Sequence, residues 1–122
     1  MNLASLPPLG QTLEGGIFAG LTTRKDGTHC AVALLPGRKE DITWQDAKAW
    51  AADLGGELPT RPVAALLYAN CKPHLEPTWH WTTDEEGASF AWGCDFYDGH
   101  QYDDRKSYEG SVVAVRLIPL NA

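Results

Sequence analysis

The chain has 122 residues, 43% hydrophobic and 21% charged, which is enough for one globular domain with its own core. Its formal net charge of −6 argues against general binding to nucleic acid, which needs a basic surface. The same charge fits a basic protein partner, or simply keeps the protein in solution.

The first element expected along the chain is a flexible N-terminal arm over residues 1–12, followed by a single domain over residues 13–122. The arm contains two adjacent prolines and shows no hydrophobic periodicity. Next, two apolar runs at residues 17–23 and 29–35 flank Asp26-Gly27, a common turn dipeptide. These runs predict a β-hairpin.

Two helices are predicted in the middle of the chain. Thr43 is a good N-cap with Asp46 at the third helical position, and Gly55 ends this first helix. Its apolar face consists of Trp44, Ala47, Trp50, Ala51 and Leu54. Thr60 caps the second helix, which ends near Asn70. We expect this helix to be buried on several sides, because Val63, Ala65, Leu66, Leu67 and Ala69 leave it little polar surface.

After Pro77 the pattern changes to that of strands. Trp79 and Trp81 share one face, and a polar loop is expected from Thr82. Phe90, Trp92, Cys94 and Phe96 share one face of the next strand. Asp98-Gly99 marks a turn, and residues 112–118 predict a final buried strand. The order of two strands, two helices and three or more strands indicates an α+β fold.

The stretch from Trp79 to Glu109 is unusual in composition. It contains three of the five tryptophans and three of the four tyrosines. Between Asp84 and Glu109 there are eight acids and two bases, which gives −6, the whole net charge of the protein. Tyrosine interleaved with aspartate, glycine and serine is typical of binding surfaces. We therefore expect this stretch to recognise a partner.

Several ordered motifs resemble a known family. W-x-x-A-x-x-W-A from Trp44, G-G-x-L-P-T-R from Gly55, and later W-x-W, A-W, D-G, K-S and A-V-R resemble the small DUF1566-type proteins of phages and prophages, within the C-type lectin-like superfamily. The resemblance covers residues 13–119. It implies paired N- and C-terminal strands, two helices packed on the sheet, and a second small sheet with long loops. It also implies a ligand-binding role and a phage or prophage origin.

The resemblance places the variable binding positions of such proteins in the C-terminal third. Carried over by region, the candidate partner-binding residues are His80, Asp95, Tyr97, His100, Tyr102, Asp104, Arg105 and Tyr108. The motifs for calcium-dependent sugar binding are absent, since Thr78 follows Glu76-Pro77 and Gly93-Cys94 follows Trp92. In the proteins that this chain resembles, the second helix commonly has an acidic or polar residue where this chain has Val63. Val63 is therefore either an additional core residue or a small exposed apolar contact.

Metal binding or catalysis by cysteine, histidine or carboxylate side chains has weaker support than partner binding. Cys71 and His74 make one loose pair, with Cys94 and His100 downstream, whereas zinc usually needs two tight pairs. The apolar face around Cys94 would raise the pKa of its thiol, unlike a catalytic cysteine. We expect no catalytic residues, metal or cofactor. An enzyme or metal module using these groups stays open, as does a calcium-free sugar binder using Trp79, Trp81 or Tyr97.

We therefore predict a non-enzymatic binding protein with an acidic, aromatic-rich face and a protein partner. No signal peptide or apolar run of ~18 residues is seen, so we expect neither export nor a membrane span. Three cysteines then favour free thiols in a reducing cytosol. An inhibitor of a host defence complex, such as an anti-CRISPR protein in the cytoplasm of an infected bacterium, suits these features. A virion or tail receptor binder is the alternative, and the oligomeric state is open.

Overall fold

The computed structural model describes residues 1–121, which form an α+β fold of two helices and two sheets, as the sequence predicts. The strands are β1 (Thr12–Leu13), β2 (Gly16–Thr23), β3 (His29–Leu34), β4 (Lys39–Ile42), β5 (Trp79–Glu86), β6 (Phe90–Asp95), β7 (Gln101–Arg105), β8 (Gly110–Val112) and β9 (Val115–Pro119). The helices are α1 (Trp44–Asp53) and α2 (Arg61–Asn70). Short 3-10 turns occupy Leu3–Ser5 and Lys72–His74. No helix in this described part has the length and apolarity to cross a membrane.

The nine strands within residues 1–121 form one sheet of four strands and one of five. The first sheet has the strand order β1-β2-β3-β9, and all of its pairs are antiparallel. The predicted hairpin is confirmed as β2 and β3, with a bulge between Phe18 and Gly20. The second sheet has the order β4-β8-β5-β6-β7, in which β5 and β8 are parallel and the other pairs antiparallel. This second sheet contains most of the residues expected to bind.

The single final strand expected at residues 112–118 is wrong. The run is continuous in hydrophobicity, but the chain changes sheets inside it. Strand β8 pairs with β4 and β5 in the second sheet, and β9 pairs with β3 in the first. Val113 and Ala114 make the crossing and are buried. An apolar run cannot reveal such a crossing, because both ends of it are buried alike.

The polar loop expected from Thr82 is also wrong, because β5 continues to Glu86. A register shift between Trp81 and Glu85 accommodates the polar residues within the strand. Thr82 is buried, and its hydroxyl donates to the Trp92 carbonyl at 2.8 Å. Hydrogen bonding therefore lets this strand bury a polar side chain that looks like loop sequence.

Both helices begin at the predicted caps. The Thr43 hydroxyl accepts from the Asp46 N–H at 3.4 Å, and the Thr60 hydroxyl accepts from the Val63 N–H at 3.2 Å. In α2 the buried residues are Val63, Ala64 and Leu67. Ala65 and Ala69 are exposed, but α2 packs against both sheets, so the expected burial on several sides is confirmed in part. Val63 is core.

The core lies on both faces of each sheet. Between the sheets, α2 packs with Val32 and Leu34 of the first sheet and with Cys94 and Phe96 of the second. On the far side of the second sheet, α1 packs Trp44, Ala47 and Ala51 against β5, β6 and β8. The second sheet is therefore covered by a different helix on each face.

The outer face of the first sheet is covered by the chain ends. Phe18 and Ile118 form a small core there, with Met1 and Leu6 packed against it. The Met1 ammonium donates to the Pro119 carbonyl at 3.0 Å. The arm predicted for residues 1–12 thus contacts the domain, and its flexibility stays a prediction. Ala122, the last residue of the predicted domain, lies outside the described residues.

Candidate functional site

Trp79 is the structural support of the candidate site. Its indole lies flat over two glycines: a Cβ on Gly93 would lie 2.0 Å from Cζ2 of Trp79, and one on Gly110 would lie 2.8 Å from Cζ3. No other residue type fits beneath the ring at either position, because real atoms do not approach so closely. The glycines therefore let the indole lie against the backbone of β6 and β8.

Two exposed tyrosines pack on this indole. Tyr102 stacks on Trp79 with ring centroids 5.8 Å apart and an interplanar angle of 30°. Tyr108 meets Trp79 edge to face at 5.6 Å, and Trp81 edge to face at 6.4 Å. Aromatic pairs in these geometries contribute roughly 0.5–1.5 kcal/mol beyond area burial. The two phenols are therefore fixed side chains rather than free surface groups.

Strand register brings carboxylates to the same side. Gly93 pairs with Tyr102, Trp79 with Asp95, and Ala91 with Asp104. Directly paired residues share a sheet face, so Asp95, Tyr102 and Asp104 lie on the Trp79 side of the second sheet. His100 in the β6–β7 turn adds a ring 5.8 Å from that of Tyr102. We call Asp95, His100, Tyr102, Asp104 and Tyr108 the acidic tyrosine face.

Three of the predicted partner-binding residues do not belong to this face: His80, Arg105, and Tyr97, which is exposed in the β6–β7 turn. His80 is buried at 1% exposure on the opposite side of the sheet, where its ring packs on Phe96 at 4.7 Å. Arg105 pairs with Phe90 and is exposed, also on the opposite side. Alternation along a strand decides the side, and the sequence does not give the register that sets it. The prediction of His80 as a solvent-facing contact is therefore wrong.

Each of three aspartates around the face has one carboxylate oxygen hydrogen-bonded to a backbone N–H. Asp95 Oδ1 accepts from the Tyr97 N–H at 2.9 Å, Asp98 Oδ1 from the His100 N–H at 2.9 Å, and Asp104 Oδ1 from the Arg105 N–H at 2.7 Å. Within residues 1–121 the ion pairs are Arg24–Glu57, Arg38–Glu76 and Lys106–Glu85. These three aspartates therefore carry charge that no cation in the described chain neutralises.

The exposed fractions show how much of this region is open to a partner. Tyr97, at the tip of the β6–β7 turn, is 76% exposed, Tyr108 is 48% exposed and Tyr102 is 41% exposed. The region presents phenol rings and carboxylate oxygens that form no ion pair within residues 1–121.

Comparisons with protein-family models and with curated proteins find no match for this chain.

Burial also decides the protonation of the nearby titratable groups. Burial raises the pKa of the Tyr102 phenol, and the charges of Asp95, Asp104 and Asp98 raise it further. The phenol therefore stays neutral and can both donate and accept a hydrogen bond. Burial raises the pKa of the Cys94 thiol to about 11 and also raises that of Cys71, so both thiols are protonated at neutral pH.

The alternative sites find less support in the geometry. Among residues 1–121 no group of three or more histidine, cysteine, aspartate or glutamate side chains could hold a metal ion. Cys71 and Cys94 lie in the core between the sheets, while His74 and His100 are exposed. Trp79 and Trp81 are 8% and 0% exposed, so the prediction that they could serve as sugar-stacking platforms is wrong.

Sequence reasoning missed the supporting role of Trp79 and the contribution of Asp98. A signal for the first was present: Gly93 lies inside a largely apolar strand and Gly110 begins another, and glycine in a strand often marks close approach of another group. Asp98 was interpreted only as a turn residue. Its turn role is real, and the same turn places its carboxylate near Tyr102.

Proposed function

We propose that this chain is a non-enzymatic binding protein that recognises a basic surface on another protein through the acidic tyrosine face. The observation that supports this most is the Trp79 platform. It holds Tyr102 and Tyr108 exposed and ordered, beside aspartates that have no cation partner among the described residues.

The energetics of such a face favour association with a protein. Tyrosine contributes large contact area with few rotatable bonds, and the rings here lose little freedom because Trp79 already orders them. Unpaired aspartates create a negative potential that speeds the encounter with a positive patch. Rigid aromatic contacts then supply the affinity, since exposed charges alone contribute little.

We further propose that the fold is C-type lectin-like, of the DUF1566 type found in phages and prophages. The motif resemblance over residues 13–119 supports this, together with two sheets, two helices and a binding region formed by β6, β7 and the turns beside them. In this proposal the protein acts inside an infected bacterium and inhibits a host defence complex of the kind that anti-CRISPR proteins block. Location in the virion would make it a receptor binder instead.

Affinity capture from phage-infected bacteria tests the proposed face. The test variant carries Tyr102→Ala and Asp104→Asn, which remove one exposed ring and one charge. The matched control carries Leu54→Ala and Asp53→Asn at the end of α1, because Leu54 is also 41% exposed and Asp53 is an exposed acid. We expect the wild type and the control to capture the same protein, and the test variant to lose it at least tenfold.

The charge contribution is measured on the captured partner. Raising NaCl from ~0.05 to ~0.5 M should slow association by about tenfold or more, since salt screens exposed charges beyond ~3–10 Å. Capture that the test variant leaves unchanged, or an association rate indifferent to salt, would place the contact elsewhere. Capture by virion particles rather than by cell extract would favour the receptor-binding version.

A further inference from the structure

We propose that the acidic tyrosine face takes an arginine side chain of the partner, with the guanidinium stacked on the outer side of Tyr102 and paired with the carboxylates of Asp95 and Asp104. This inference rests on the proposed function. It adds the chemical group that the face selects, and it predicts that lysine is a poor substitute.

The first supporting observation is the layering of the rings. One side of Tyr102 stacks on Trp79 at 5.8 Å, and the residue remains 41% exposed. The open side of a tyrosine held in this way is a platform for a flat cation. Trp79 beneath it is itself packed against Gly93 and Gly110, so only Tyr102 has to adjust when the partner arrives.

The second observation is the position of the aspartates. Asp95 and Asp104 flank Tyr102 across the strand pairs, and each has Oδ1 committed to a backbone N–H. The second oxygen of each carboxylate makes no ion pair within residues 1–121. The charges of Asp95, Asp104 and Asp98 also raise the pKa of the Tyr102 phenol, so all three carboxylates lie in its neighbourhood. The Tyr102 ring and the carboxylates of Asp95 and Asp104 therefore form one site for a planar cation.

The third observation is an unpartnered donor beneath the ring. Trp79 is 92% buried, and its Nε1–H finds no acceptor in the described structure. The Nε1 edge lies over Gly93, which pairs with Tyr102, so the donor lies near the base of the Tyr102 side chain. A buried unsatisfied N–H costs roughly 1–3 kcal/mol. A small outward shift of Tyr102 on binding would open this N–H to an acceptor from the partner.

That acceptor identifies the ligand as a peptide. A guanidinium has donors but no acceptor, so the arginine side chain alone cannot satisfy Trp79. A backbone carbonyl next to the arginine can. The combination of a stacking platform, paired carboxylates and a buried N–H therefore fits arginine within a polypeptide rather than a free cation or a metal ion.

Arginine is preferred over lysine for a geometric reason. The guanidinium is planar, stacks on an aromatic ring, and presents several N–H donors that can reach two carboxylates at once. The lysine ammonium is a compact, strongly hydrated charge without a flat face. We therefore expect discrimination between the two, although their charge is equal.

Three blocked peptides provide the direct test: acetyl-Gly-Arg-Gly-amide, its lysine counterpart and its citrulline counterpart. Each is titrated into ¹⁵N-labelled full-length protein, and the indole N–H resonances are followed by NMR. We expect the arginine peptide to bind at least fivefold more tightly than the lysine peptide, with citrulline showing no saturable shift. The Trp79 indole resonance should move more than those of Trp44, Trp50 and Trp92.

Two variants make the assignment specific. Tyr102→Leu should remove the preference for arginine, because an aliphatic side chain offers no aromatic platform. Phe90→Leu is the control, since Phe90 is 39% exposed on the opposite side of the second sheet, where it pairs with Arg105. We expect it to keep the preference for arginine.

The outcomes separate this inference from the proposed function. Equal shifts with arginine and lysine, or a Trp79 resonance that stays fixed, would overturn the arginine assignment. If the arginine assignment failed but the Tyr102→Ala, Asp104→Asn variant lost partner capture, the proposed binding role of the face would stand on its own. If that variant kept both the partner capture and the preference for arginine, the arginine assignment and the proposed function would both be rejected.

Discussion

Gly93 shows how a single missing side chain sets the geometry of the candidate site. The Trp79 ring occupies the space that any Cβ at position 93 would need. Two tyrosines in turn take their positions from that ring. The order of the acidic tyrosine face therefore depends on a residue that has no side chain.

Gly93→Ala should destabilise the protein by about 1–3 kcal/mol, the range for forcing extra volume into a packed site. Trp79→Phe shortens the ring, so in that background the added methyl group should cost at least 1 kcal/mol less. Urea unfolding of the wild type, the two single variants and the double variant measures this coupling. Additive losses would mean that Trp79 does not lie over Gly93.

At the scale of elements, α2 links the two sheets. Its buried residues contact the first sheet on one side and the second sheet on the other. Asp84 Oδ2 accepts from the Arg61 N–H at 2.7 Å, and the Arg61 side chain donates to Gln101 at 3.0 Å. Arg61 also lies over the Trp92 ring at 3.7 Å. The start of α2 is thus joined to β5, β6 and β7, the strands that hold the face.

Thr60→Ala removes the side-chain cap of α2 and should cost about 1 kcal/mol in the free energy of unfolding. Thr43→Ala in α1 is the natural comparison, because its cap hydrogen bond is longer, at 3.4 Å against 3.2 Å. We expect the smaller loss there. The urea midpoints of the two variants decide the matter, and a larger loss at Thr43 would contradict the ranking.

Local signals in the sequence were enough for the hairpin and both helices. Turn dipeptides, caps and helical periodicity act within a few residues, so they can be interpreted without the fold. Strands β4 and β7 carry mainly charged or polar residues, and they are strands because β8 and β6 pair with them. No local signal predicts that kind of strand.

The candidate site was predictable by region but not by side. Tyr102, Tyr108, Asp95 and Asp104 lie together because their strands and turns are adjacent. His80 was misplaced because β5 is covered on both faces: His80 packs between the sheets, and its neighbours Trp79 and Trp81 are buried under α1. A single residue of register reverses the direction of a side chain, and pairing between distant segments sets that register.

For the whole molecule, His80 links the core between the sheets to pH. Its Nδ1 lies 2.8 Å from the Thr78 carbonyl, which places the proton on Nδ1, and Nε2 has no partner in the described structure. Burial lowers the pKa of His80, although Thr78, Asp95 and Glu76 oppose the shift. The folded protein therefore favours the neutral ring, whereas the unfolded chain titrates near its ordinary value of ~6.5.

The sign of the pH effect follows from that difference. Above the unfolded value both states hold neutral His80, and stability is fully present. As pH falls below ~6.5, protonation favours the unfolded chain, and stability declines by up to ~1.4 kcal/mol per pH unit until the folded pKa is reached. Urea unfolding at pH 7.5, 6.5 and 5.5 should show this decline in the wild type and a smaller one in His80→Gln. Parallel curves would assign the decline to other groups.

The crossing at Val113 and Ala114 has a consequence for synthesis. Residues 110–112 fill the gap between β4 and β5, and residues 115–119 complete the other sheet beside β3. While these residues are still inside the ribosome, both sheets lack a strand, and β4 has no neighbour at all. The nascent chain can form its hairpin and transient helices, but cooperative folding waits until residues 110–119 have left the ribosome. A chain truncated before residue 110 would accordingly be a substrate for proteolysis rather than a weakened binder.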